Sequence, residues 1–155
     1  QLQRAVVDGQ VIPDPIASDR GVTVALSLDQ YRYVINTMPI HGGGTHPATE
    51  IEARFVLKNR TDEDLALNFR SSQIHDIVLR DESGRAVWRQ SAGQLFAQIG
   101  SEQIIPPGED LIIEARVSTR IQGADLPPGN YTLEFTLSAS QRFAGSAALR
   151  VIHAR

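Results

Sequence analysis

An all-β, antiparallel sandwich of seven to nine strands is the fold this sequence predicts, on three observations. Apolar and polar residues alternate with period two over most of the chain. Turn signals rich in Gly, Pro, Asn and Asp recur every ~8–12 residues, as sandwiches require. No segment carries the 3.6-residue apolar stripe of a helix.

The strands follow in order. In VTVALSL (22–28), Val22, Val24, Leu26 and Leu28 share a face, and YRYVI (31–35) extends or follows that strand. EIEARFVLK (50–58) sets Ile51, Ala53, Phe55 and Leu57 against Glu50, Glu52, Arg54 and Lys58. The polar cluster NRTDED (59–64) is a turn. LALNF (65–69), IHDIVLR (74–80), the turn DESG (81–84) and AVWR (86–89) come next. After SAGQLFAQIG (91–100) comes EQII (102–105), which ends at PPGED (106–110); a short helix within 89–100 is an open alternative that the pattern does not support. LIIEARV (111–117) alternates again, and a second PPG (127–129) introduces YTLEFTL (131–137). SAALRVIH (146–153) is the last strand. Trp88 is expected in the core, and Tyr131 is expected to pin the start of its strand.

The 155 residues suit one domain, and a domain of that size buries roughly 70% of its unfolded surface without a covalent staple. Residues 1–20 read as an N-terminal extension or tether, with Gly9, Pro13 and Pro15 among short apolar pieces; 21–155 read as the domain. The absence of cysteine excludes disulfides, thiolate metal sites and a cysteine nucleophile. A net charge of −3 gives no electrostatic footprint for nucleic acid. No apolar run approaches the ~20 residues of a membrane span. A start at Gln1 fits a chain trimmed on export, so an exported or cell-envelope location is expected, with the cytoplasm as the alternative.

The middle of the chain resembles the BsuPI domain family of bacterial intracellular proteinase inhibitors. The features that carry it are KN before a polar turn (58–59), LNF followed by SSQIHDIVLRD (67–81), the G-x-x-VWR strand (84–89), PPGE leading into an apolar strand (106–109) and LPPGNYTLEFTL (126–137). The resemblance covers about residues 50–140. It implies an immunoglobulin-like sandwich and a role as an inhibitor of serine proteases or another protein-binding module; it assigns no inhibitory residue. Two features depart from it. His75 stands in QIHDI where relatives tend to carry an aromatic residue, and the segment 36–48 looks additional.

Both departures introduce imidazole. His41 and His46 flank Gly42, Gly43 and Gly44, and Met38 precedes them. Neutral imidazole is the commonest metal ligand. If a sandwich end gathers His41, His46, His75 and His153, with Met38 as a weak axial sulfur, the set suits copper better than zinc. A copper-only superoxide dismutase is the activity such a centre supports, with Arg54, Arg70 or Arg142 attracting the anion and superoxide as the small-molecule partner. The plainer readings are that His75 and His153 are packed strand residues, and that the glycines serve a turn needing positive φ. In the inhibitor reading, 41–46 is a recognition loop and the partner is a serine protease. HGGG lacks the G-x-S-x-G elbow of a lipase, and no phosphate-loop lysine follows it.

Overall fold

The structure, a computed structural model, describes the backbone of residues 5–7, 10–12, 16–19 and 21–154, and side chains within 21–154. In chain order the strands are β1 (Ala5–Val7), β2 (Gln10–Ile12), β3 (Ile16–Asp19), β4 (Val22–Leu28), β5 (Arg32–Asn36), β6 (Glu50–Asn59), β7 (Leu65–Phe69) and β8 (His75–Arg80). They continue with β9 (Ala86–Arg89), β10 (Ser101–Ile105), β11 (Asp110–Ser118), β12 (Arg120–Ile121), β13 (Ala124–Asp125), β14 (Gly129–Leu137) and β15 (Phe143–Ala154). The expected extension at 1–20 falls largely outside the described residues; of its strands, β3 pairs with β4. Among the described residues no helix is long and apolar enough to cross a membrane.

Two sheets face each other. One is four-stranded, in the order β11-β6-β4-β3, and the other five-stranded, β5-β15-β14-β8-β9. The ribbons β1-β2, β7-β10 and β12-β13 come in addition, which is why strands outnumber the seven to nine expected. The period-two pattern becomes the core directly. Val22, Val24, Leu26 and Leu28 from β4, with Ile51, Phe55 and Leu57 from β6, are buried against Leu133, Phe135 and Leu137 of β14. Phe55 and Phe135 stack across the two sheets with centroids 4.3 Å apart. Offset stacking of this kind adds roughly 0.5–1.5 kcal/mol beyond area burial. Trp88, expected in the core, is only partly buried and packs against the core from the edge strand β9. Tyr131 donates its hydroxyl to the Pro127 carbonyl (2.6 Å) and so pins the second PPG turn to β14.

One pairing departs from the expected antiparallel pattern: β5 runs parallel to β15. The chain leaves β4 in one sheet and crosses at residues 29–31 into the other. The crossing is fixed by the buried Tyr33, whose hydroxyl donates to Asp29 Oδ1 (2.5 Å), while the same oxygen accepts from the Glu52 amide (3.0 Å). Burial pushes the Tyr33 phenol far above its ordinary range, so it serves only as a neutral donor and acceptor.

Two motifs of the family resemblance acquire a structural role here. Asn59 is fully buried at the end of β6. Its Nδ2 donates to the carbonyls of Glu63 (2.9 Å) and Ile105 (2.8 Å), and its Oδ1 accepts from the Thr61 amide (3.0 Å) and hydroxyl (2.7 Å). Its backbone closes on the first PPG turn, accepting from Gly108 N (2.7 Å) and donating to Glu109 O (3.0 Å). KN and PPGE are therefore two halves of one corner.

Candidate functional site

The four histidines do not form one centre. His75 pairs with Leu137, and Leu137 pairs with Phe143 at the start of β15. His153 lies near the other end of β15, opposite Ile35. From Phe143 to His153 the strand runs about 33 Å at ~3.3 Å per residue. The segment bearing His41 and His46 leaves β5 at Asn36, next to Ala154, so it lies at the His153 end; Thr37 Oγ1 donates to the Ala154 carbonyl (2.8 Å). His75 is thus separated from the other three by the length of the sheet. Among the described residues no group of three or more His, Asp or Glu side chains is placed to hold a metal ion.

Local structure accounts for His75, His153 and His41, while His46 Nε2 is buried with no hydrogen-bond partner among the described residues. The His75 ring packs tilted on Phe135, with centroids 4.9 Å apart, and its Nδ1 is buried with no hydrogen-bond partner among the described residues. Burial lowers its pKa below the ordinary imidazole value. It fills an aromatic position as a neutral ring. His153 Nε2 lies 2.7 Å from the Leu126 carbonyl, a contact that makes that nitrogen a donor and takes it from any metal. His41 is exposed at a turn closed by Gly43 N donating to Ile40 O (3.0 Å). Gly42, Gly43 and Gly44 all have φ between +90° and +98°, with open space where a Cβ would stand. The glycine run answers a backbone requirement. The His46 carbonyl accepts from Arg120 Nη2 (2.9 Å), and Arg120 pairs with Asp125 (3.0 Å). Met38 is half-exposed beside this loop. The five residues expected to ligate copper are thus not brought together: His75 lies at one end of the sheet, and His41, His46, His153 and Met38 lie towards the other.

The feature that the sequence reading passed over lies between β9 and β10. Residues 91–93 form a turn and 94–100 have no regular structure. No helix forms in 89–100. Leu95 is 99% exposed at the tip and Ile99 70% exposed. An isolated exposed leucine is ordinary; what sets Leu95 apart is that its loop is fastened at both ends. At the start, Asp76 Oδ1 accepts from the Ser91 amide (3.0 Å), and Oδ2 accepts from the Ser91 hydroxyl (2.8 Å) and from Arg89 Nη1 (3.1 Å). Gln90 N donates to the Ile77 carbonyl (2.9 Å). At the far end, Ser72 and Ala97 exchange two hydrogen bonds, Ser72 N to Ala97 O and Ala97 N to Ser72 Oγ, each 2.9 Å. Gly100 then passes so close to β7 that a Cβ there would sit 3.1 Å from the Phe69 carbonyl oxygen. The bracing residues Ser72 and Asp76 both belong to SSQIHD, one of the motifs that carry the resemblance. One signal was available in the sequence: Leu95, Phe96 and Ile99 break the period-two alternation of the strands on either side.

No curated protein matches the sequence. Solved structures similar to it include the β-glucosidase EmGH1 of Erythrobacter marinus (TM-score 0.45, 11% identity, 84% of this chain and 15% of that one). Others are the DNA-bound alkylpurine DNA glycosylase AlkC of Pseudomonas fluorescens (0.44, 14%, 85% and 30%) and the C-terminal domain of wzt (0.48, 12%, 99% and 79%). The chain spans a minor part of the first two, and at these identities the likenesses say nothing of activity. The family model described as intracellular proteinase inhibitor matches residues 43–142, well over half of the chain. The chain belongs to the BsuPI family of intracellular proteinase inhibitors.

Proposed function

We propose that this protein inhibits a serine protease by offering the loop 91–99 to the enzyme's substrate cleft, with Leu95 in the pocket that reads the side chain before the scissile bond. The observation that carries this reading is the 99% exposure of Leu95 on an irregular segment braced by Asp76 on one side and Ser72 on the other. Substrate clefts bind extended, irregular backbone. A loop already held in place loses less conformational freedom on docking than a free peptide does, and that difference appears as affinity. Bracing also keeps the two sides of a cleaved bond together, so a cut chain is slow to leave. Moving the leucine side chain from water into an apolar pocket contributes roughly 1.5–3 kcal/mol. Family membership supports a protease as the partner, and the apolar tip supports an enzyme with an apolar pocket, of subtilisin type.

The test is titration of a subtilisin-type protease with the whole chain. Loss of protease activity at about one inhibitor per enzyme is expected, unchanged by a metal chelator. Leu95→Gly is expected to weaken inhibition at least ~30-fold, the equivalent of about 2 kcal/mol. Equal inhibition by Leu95→Gly and the parent chain would remove the loop from the mechanism. Full protease activity at excess inhibitor would remove the reading for that class of enzyme.

A further inference from the structure

Beside the braced loop lies a cleft of about 450 Å³ whose lining includes Arg70, Ser71, Gln73, Ser138, Ser140 and Arg142. Most described arginines lean on carboxylates, as Arg80 does on Glu134 and Arg120 on Asp125, both at 3.0 Å; Arg32 and Arg150, away from this cleft, do not. Arg70 and Arg142 have no carboxylate partner among the described residues, and no Asp or Glu lines the cleft. On a chain of net charge −3 this is a local excess of positive charge in a concave place. Backbone pairing brings the two arginines together: Phe69 bridges Ala139, and Ser140 N donates to the Asn68 carbonyl (2.8 Å). The segments after β7 and β14 are thereby held side by side.

We propose that this cleft is an oxyanion-binding site for a carboxylate or phosphate group. Guanidinium groups present planar forks of N–H donors that match such oxygens two at a time. The serine hydroxyls and the Gln73 amide can donate to the remaining lone pairs. The volume is within the range of small-ligand sites. Two sources offer this chemistry: a free phosphate-bearing molecule, or an acidic side chain on a docked protein. Ser71 and Gln73 line the cleft while Ser72 between them braces the Leu95 loop, so an acidic group on a partner seated at that loop falls within reach. The proposal does not depend on the inhibitor reading.

The experiment is an amide-resolved NMR titration of the whole chain at fixed ionic strength, with inorganic phosphate in one arm and a short glutamate-rich peptide in the other. Saturable shifts of the Ser71, Ser138 and Ser140 amides are expected in at least one arm; the tighter arm identifies the source. The double variant Arg70→Gln, Arg142→Gln is expected to bind at least tenfold more weakly with its spectrum otherwise intact, since both side chains are exposed. No saturable shift in either arm, or equal binding by the double variant, overturns the proposal.

Discussion

His75 shows at the scale of one residue how chemistry read from residue type gives way to position. As a type it suggested a ligand; in place it is an aromatic ring on Phe135 with a buried, unpartnered nitrogen. Burial holds its pKa below 6.5, so the fold accommodates the neutral form. As pH falls through about 6.5 the unfolded chain takes up this proton while the folded chain resists it. The stability His75 confers is therefore complete above that pH and declines as the solution is acidified below it. His75→Phe is expected to remove this part of the acid sensitivity. Urea midpoints at pH 7.5 and 5.0 measure it: the parent should lose more between the two than the variant, and equal losses would contradict the assignment. His41, His46 and His153 were legible as residues but not as a site. Their spacing in sequence carries no record of which end of a sandwich each strand presents.

Strands and turns were the most legible scale. Period-two alternation located β4, β6, β11 and β14, because in each one face lies deeper than the other. It could not show that β5 runs parallel to β15, since alternation is blind to strand direction. Nor could it rank the turns. The corner built by Asn59 joins the turn after β6 to the PPG turn before β11, and every polar atom of its side chain is used. Asn59→Ala leaves the Ile105 carbonyl and its neighbours without that partner in a buried place. The expected cost is about 3 kcal/mol, from unmade bonds at ~1–3 kcal/mol each, read as a lower urea midpoint with an unchanged slope. A loss below about 1 kcal/mol would mean that the corner is held by its backbone bonds alone. The loop 91–99 was illegible for a related reason. Its order comes from Asp76 and Ser72, which belong to other parts of the chain.

For the molecule as a whole, the sandwich is a rigid support that carries an apolar loop and an unpaired pair of arginines at one end, and a glycine turn with two histidines at the other. In the proposed reading, the braced Leu95 makes the first end the working one. If that loop is bound as a substrate is, the enzyme's cleavage chemistry must be aimed at one bond. The most direct measurement is intact-mass analysis of the whole chain after prolonged incubation with a catalytic amount of a subtilisin-type protease. One cut is expected, between Leu95 and Phe96, with the two pieces staying associated until the fold is denatured. A first cut in the 41–46 turn, or digestion at many sites with none favoured, would contradict the account.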